Sequence, residues 1–458
     1  MRLLYTGLLY LLLPLALLRL YWRGRRDAGH RQRWRERLGF VPTLLPGSLW
    51  VHAVSVGETR AALPLIRALL DRYPDRPLLV TTTTLTGSRQ VREALGERVQ
   101  HVYAPYDLPG ATRRFLRRVR PSLAVIMETE LWPNLLRQCA TAGIPVLLAN
   151  ARLSERSARG YGRIRGLTAR MLRDVTLIAA QADADAARFR ALGAPQVEVT
   201  GNLKYDLALP ADLLERGRRL RRDWLGDERP VWIAASTHAG EDDTILDALA
   251  RLRVRWPTLL LLLVPRHPER FDSVAVLCRQ RGFSVIRRSE RNACMPDTAV
   301  FLGNSMGELL LLYAAADLAF VGGSLVATGG HNVLEPALLG LPVLFGPHMF
   351  NFSEAGERLL AAEAAWQVAD AGELAAAVDR LLVDPELRRT AGQNGQAVVE
   401  RHRGALAALL GSIKMLLEIP GSGDKADGRG SVEHQGSGRE VVRVLRLRGG
   451  IVRRWRER

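Results

Sequence analysis

Short apolar runs separated by longer mixed segments organise most of this chain. Residues 49–54 read as a buried strand, residues 59–73 as a helix, and residues 77–83 as a strand ending in a Thr/Gly turn. Residues 123–127 and 146–149 are further runs of strand length. A second series opens at Val231-Trp232-Ile233-Ala234-Ala235 and continues through residues 259–264, 299–302, 318–321 and 342–345. Unbroken apolar strands alternating with helices indicate parallel sheets covered on both faces. Two such series, divided near residues 206–225, predict two doubly wound α/β domains. Ligands on such sheets bind beyond the carboxyl ends of the strands, which makes a cleft between the domains the expected site.

The two ends of the chain depart from this pattern. Residues 3–18 carry no charge; Tyr21-Trp22 follow, and then Arg23, Arg25, Arg26, Arg31, Arg33, Arg35 and Arg37. A cleavable signal peptide has its positive charge before the apolar stretch, so the reversed order predicts an uncleaved membrane-anchor helix with a cytoplasmic body. Sixteen uncharged residues interrupted by Pro14 fall short of the ~20 needed to span a bilayer. A helix lying in the interface is therefore the alternative reading of the same segment. Residues 420–438 are rich in Gly, Ser, Asp and Arg and read as a flexible linker. Residues 441–458 mix Val, Leu, Ile and Trp455 with arginines, as either a flexible basic tail or a second contact with anionic lipid. The expected division is a basic anchor at 1–38, one domain at 39–206, a second at 207–419 and a tail at 420–458.

Composition narrows the partners. A chain of 458 residues, 47% hydrophobic, supports two separate cores. Cys139, Cys278 and Cys294 lie too far apart for a disulfide framework or a zinc pattern, which suits a reducing compartment. A formal net charge of +18 suits nucleic acid, anionic lipid or a phosphorylated substrate. The chain lacks an RNA-recognition aromatic motif, a helix-turn-helix signature and zinc spacing, so no nucleic-acid partner is expected.

Several motifs carry candidate chemistry. Phe320-Val321-Gly322-Gly323-Ser324 runs from a strand into glycines, and Gly329-Gly330-His331-Asn332-Val333-Leu334-Glu335-Pro336 opens a helix. Glycine lets backbone approach a bulky anion, and a helix N-terminus presents free N–H groups to phosphate. Glu335 could then accept hydrogen bonds from a ribose diol, or merely complement the helix dipole. Ser55-Val56-Gly57-Glu58 has the spacing of a capping box, yet Glu58 at a strand's carboxyl end also suits a general base. Glu128 and Glu130 follow another strand, where carboxylates two apart point to opposite sides of an extended chain. Lys204 falls at the junction of the two series, placed to neutralise a carboxylate or phosphate. Pro265-Arg266-His267 ends a leucine strand, where arginine's planar fork fits phosphate, and Ser305-Met306-Gly307-Glu308 opens another helix. His238 and His331 read as separate, structural histidines. Asp183-Ala184-Asp185 reads as a helix cap, and no metal site or cofactor is expected.

Taken in order, these motifs resemble the Kdo transferases, which add 3-deoxy-manno-octulosonic acid to lipid A precursors. The resemblance runs from about Arg33-Trp34-Arg35-Glu36-Arg37-Leu38-Gly39 to about residue 415 and includes Thr82-Thr83-Thr84-Leu85-Thr86-Gly87 and Asn150-Ala151-Arg152-Leu153-Ser154. It implies an α/β fold of GT-B type, two Rossmann-like domains preceded by the anchor helix. It further implies CMP-Kdo as donor, bound mainly by the domain at 207–419, and a lipid A precursor as acceptor, bound by the domain at 39–206, at the cytoplasmic face of an inner membrane rich in anionic lipid. By the same resemblance Glu58 is the base, Glu128 and Lys204 stabilise the transition state, and Pro265, Arg266, Met306, Gly307, Glu308, Asn332, Val333, Leu334 and Glu335 hold CMP. The nearest alternative is another GT-B enzyme using a UDP-sugar, an epimerase or a lipid-linked glycosyltransferase.

Overall fold

The computed structural model describes residues 2–27, 29 and 32–418 and two short strands near the C-terminus. The chain forms two compact units, residues 1–206 with 404–458, and residues 207–403. In the first, β1 (Ser48–His52), β2 (Leu78–Thr82), β3 (Gln100–Tyr103), β4 (Pro121–Met127), β5 (Val146–Ala151), β6 (Leu177–Ala180) and β7 (Val197–Val199) make one parallel sheet. Its order is β3-β2-β1-β4-β5-β6-β7. The second sheet holds β8 (Val231–Thr237), β9 (Leu260–Pro265), β10 (Val285–Arg287), β11 (Val300–Leu302), β12 (Leu318–Val321), β13 (Val343–Phe345) and β14 (Ala365–Gln367). It is also parallel, in the order β10-β11-β9-β8-β12-β13-β14.

The two-residue period of a strand explains why these runs are apolar throughout. Along β1, Leu49 and Val51 enter one core layer while Trp50 enters the opposite one, against Phe115 and Leu135. Along β8, Trp232 and Ala234 face one layer and Val231, Ile233 and Ala235 the other. In each sheet, consecutive strands part company beside the first strand: β1 lies between β2 and β4, and β8 between β9 and β12. The loops leaving β1, β4, β8 and β12 are therefore the switch-point loops where ligands of such sheets bind.

Two expectations about the chain's organisation change. The helix Ala405–Leu417 belongs to the first unit, although residues 207–419 were expected to form one domain. Its stripe of Ala405, Leu409, Ile413 and Leu416 completes the layer that holds Leu49, Val51 and Leu65. Asp206 fixes its start, accepting the N–H groups of Gly404 at 2.7 Å and Leu406 at 2.8 Å. The linker read at residues 420–438 lies outside the described residues. Beyond it, Val442–Arg446 pairs antiparallel with Val452–Arg456, where a flexible tail predicts no regular structure.

The basic segment after the first helix is also less free than its composition suggests. The buried Arg37 donates to the Thr83 carbonyl at 2.9 Å and lies over the Tyr103 ring. Arg33 pairs with Glu36 at 2.7 Å, and Glu36 in turn accepts the N–H of Tyr103 at 2.8 Å. Gly39 closes this turn at φ +82°, with the Ala111 carbonyl oxygen 2.2 Å from where a Cβ would stand. These arginines knit the segment to β3 rather than presenting an anionic surface with charge.

Candidate active site

In the first unit the turn after β1 carries Glu58, and both of its roles are visible. Ser55 Oγ accepts the Glu58 N–H at 3.3 Å, while the carboxylate accepts the Val54 N–H at 2.8 Å and the Ser55 hydroxyl at 2.9 Å. That is a capping arrangement. Burial pushes the Glu58 carboxyl up to about 7, helped by the charges of Glu128 and Glu130 and opposed by the Val54 and Ser55 hydrogen bonds. A carboxylate tuned near neutrality is suited to taking a proton.

Glu128 stands at the end of β4 in the left-handed region, at φ +55°. A non-glycine residue held there is strained, and such strain collects at functional sites. Burial raises its carboxyl, and the charges of Lys204 and Arg152 pull it back down. Glu130 turns elsewhere and accepts the indole N–H of Trp132 at 2.8 Å. The two acids differ in their partners, one near a cation and one in a structural hydrogen bond, but a turn at Glu128 rather than an extended chain separates them.

Lys204 sits in a tight turn, Leu203–Tyr205, held by Asn150 and Asn202 and by Gln181, which no motif had singled out. Asn150, itself at φ +52°, accepts the Leu203 N–H at 3.0 Å. Gln181 donates to the Asn150 carbonyl at 2.8 Å and accepts from Asn202 at 3.0 Å, and Asn202 accepts the Lys204 N–H at 3.0 Å. The position of Gln181 at the carboxyl end of β6 was the available signal. Asp185, expected to cap its own helix, instead accepts the Leu153 N–H at 2.8 Å and so fixes the loop carrying Arg152.

In the second unit, Glu335 accepts from the Asn332 amide at 3.0 Å, and Asn332 caps the Leu334 N–H at 3.1 Å. Burial raises the Glu335 carboxyl, while Asn332 and the Arg266 guanidinium lower it. Arg266 follows Pro265 at the end of β9, its N–H on the Thr237 carbonyl at 3.0 Å. Met306 is exposed, and Gly307, at φ +82°, has open space on its Cβ side. Glu308 is engaged by Arg288 at 2.9 and 3.1 Å, and Arg288 lies over the Trp224 ring. Val333 and Leu334 are buried and hold the loop in place. His238 and His331 are not separate: their Nε2 atoms are 2.8 Å apart with the rings stacked, and His267 meets His238 edge-on.

The glycine loop is the main departure from expectation. The N–H groups of Gly323, Ser324 and Leu325 converge at 2.7, 2.9 and 2.9 Å on the buried carboxylate of Glu241, which also accepts the His238 N–H at 2.8 Å. An internal anion fills the nest that the sequence reading assigned to phosphate. The glycines serve close contact within the chain. A Cβ on Gly330, at φ +73°, would stand 2.2 Å from the Met349 sulfur, and one on Gly329 would meet Phe350 and Asn351 at 2.4 Å. Gly330→Ala is expected to lower the unfolding free energy by about 1–3 kcal/mol, the usual cost of overpacking, as read from denaturant unfolding.

Two parallel seven-stranded sheets with their loops at the switch points define a GT-B-type fold. UDP-N-acetylglucosamine 2-epimerase from Neisseria meningitidis has the same fold, with a TM-score of 0.52 at 14% identity over 81% of this chain and 100% of that one. Sequence places the chain more narrowly. Residues 32–207 match the family described as 3-deoxy-D-manno-octulosonic-acid transferase (kdotransferase). The 3-deoxy-D-manno-octulosonic acid transferase of Haemophilus influenzae is 45% identical over 91% of this chain and 99% of its own length. The Bordetella pertussis enzyme of that name is 39% identical over 90% and 98%. The chain belongs to the Kdo transferase family of glycosyltransferases.

Proposed function

We propose that this glycosyltransferase moves Kdo from CMP-Kdo to a lipid A precursor in lipopolysaccharide biosynthesis, with inversion at the anomeric carbon. The supporting observation is Glu58, a carboxyl poised at about 7 at the switch point of its sheet, with Glu128 and Glu130 as its charged neighbours and Lys204 and Arg152 in turn acting on Glu128. Glu58 takes the proton of an acceptor hydroxyl as its oxygen attacks the anomeric carbon. The bond from that carbon to the CMP phosphate oxygen breaks, and the electron pair leaves with CMP. Glu128 and Lys204 stabilise the developing charge, as preorganised groups do in a water-poor site. Glu58 then releases its proton to solvent.

On the donor side, Arg266 and Pro265 take the phosphate. Glu335, oriented by Asn332 within the Val333-Leu334 turn, takes the ribose hydroxyls, and Met306-Gly307-Glu308 flank the nucleoside. The N-terminal helix carries the enzyme to the cytoplasmic face of the inner membrane, where an anionic glycolipid acceptor resides. Incubating detergent-solubilised protein with CMP-Kdo and a tetraacyl lipid A precursor should add one or more Kdo units to the lipid's mass. No gain, or displacement of the donor by UDP in preference to CMP, overturns the proposal. Arg266→Ala removes a charge-assisted contact of about 1.5–3 kcal/mol, so KM for CMP-Kdo should rise roughly 10- to 100-fold with a smaller change in kcat.

A further inference from the structure

We propose that the N-terminal helix lies in the plane of the membrane, clasped lengthwise to the first unit, rather than crossing the bilayer. The proposal rests on the membrane reading above and adds the geometry that reading leaves open. The helix, Arg2–Arg26, is long and apolar enough to cross a bilayer. Its burial pattern is one-sided. Tyr5, Thr6, Leu9, Leu13, Ala16, Leu17 and Leu20 are half-buried at three- and four-residue spacing, and Gly24 is buried. The opposite side exposes large apolar groups, among them Leu4 at 79%, Leu11 at 73% and Trp22 at 64%.

Both ends of the helix are tied to the same unit. Near its start, Thr6 Oγ1 accepts from the Asn134 amide at 3.0 Å, and Tyr5 bonds the Asp107 carboxylate, which also accepts the Asn134 and Leu135 N–H groups at 3.0 and 2.7 Å. The Tyr10 hydroxyl lies 3.9 Å from where a Cβ on Gly110 would stand. Past its end, Asp27 pairs with Arg89 at 2.8 Å, and Gly29 sits against Leu85. Leu85, Gly110 and Asn134 lie in the first turns of the helices Leu85–Leu95, Pro109–Val119 and Pro133–Thr141. These helices follow β2, β3 and β4, so the N-terminal helix runs along the carboxyl-end edge of the sheet, the edge that bears Glu58 and Glu128.

A spanning helix held in this way would draw its partners into hydrocarbon. The helix Pro109–Val119 carries Arg113, Arg114, Arg117 and Arg118, and arginine at the bilayer centre costs about 2.5–3.5 kcal/mol per residue on insertion scales. An in-plane helix meets no such cost. Its leucines enter the acyl boundary, and the exposed Arg2, Arg19, Arg23 and Arg25 meet anionic headgroups. The occupant of this face is therefore an anionic bilayer surface, and the acceptor edge of the sheet opens directly onto it.

The full-length protein with Cys294→Ser, which removes the half-exposed native thiol, provides the background for a test in sealed vesicles of anionic and zwitterionic lipid. Arg2→Cys should react with a membrane-impermeant maleimide added on the side bearing the body. Nitroxide labels at Leu4→Cys, Leu11→Cys and Leu18→Cys should report one shared depth, about 5–10 Å below the headgroups. Labelling of Arg2→Cys from the opposite side alone, or a label depth near the bilayer centre at Leu11, overturns the proposal. Kdo transfer in the same vesicles tests the catalytic assignment separately, since the topology readouts do not depend on turnover.

Discussion

Glu58→Gln is expected to lower kcat for Kdo transfer by roughly 10²- to 10⁴-fold, the usual contribution of a positioned general base, while CMP binds unchanged. The substitution separates the two roles found at this turn. Glutamine still accepts the Val54 N–H and completes a capping box, so the helix Val56–Arg72 keeps its start. What disappears is the ability to take a proton. The sign of the pH dependence follows from the raised carboxyl: the active form is the carboxylate, so the wild-type rate should fall about tenfold per unit below about 7 and level off above it. The residual rate of the glutamine variant should lack that limb. A variant that keeps both its turnover and its acid limb would move the base elsewhere, and weakened CMP binding with normal turnover would contradict the assignment.

Glu241→Ala should produce the largest loss of stability in the second unit. Four backbone N–H groups end on this one carboxylate, and each buried donor left unpaired costs about 1–3 kcal/mol. Even with partial relaxation and entry of water, a loss of about 3 kcal/mol or more is expected. Hydrogen exchange at Gly323, Ser324 and Leu325 reads it directly, since 3 kcal/mol corresponds to more than about 100-fold faster opening. The His238–His331 contact should be lost as well, because the same carboxylate holds the His238 backbone. Unchanged protection at these amides would mean that the loop keeps its shape without its internal anion.

The contrast between these two residues shows where sequence reading succeeds. Glu58 was legible because strand, turn and helix are consecutive in sequence, and the Ser-x-x-Glu spacing is local. Glu241 was not, because it lies about 80 residues from the loop it satisfies, and a glycine loop looks the same whether its amides face a ligand or a side chain. The same distinction governs the sheets. The long buried strands at their centres are apolar throughout and were recognised. Edge strands such as β3, β7 and β10 were not, since Gln100–Tyr103, Val197–Val199 and Val285–Arg287 are short, half-exposed and partly polar. The pairing of His238 with His331 was hidden for the same reason as Glu241, a sequence separation of 93. The Lys204 turn was found as a motif, but its support by Asn150 and Gln181 depends on strand order, which the sequence does not display.

The return of the helix Ala405–Leu417 to the first unit bears on how the chain is made. A ribosome releases β1 to β7 early, but the layer over Leu49, Val51 and Leu65 is completed only after the whole second unit has emerged. At ~5–20 residues per second, the roughly 200 intervening residues impose a delay on the order of 10–40 s. During that interval a strip of apolar sheet has no cover of its own. Nascent chains stalled before residue 404 should therefore be the species most prone to capture by chaperones, and the order of synthesis leaves the unit that begins first the last to mature.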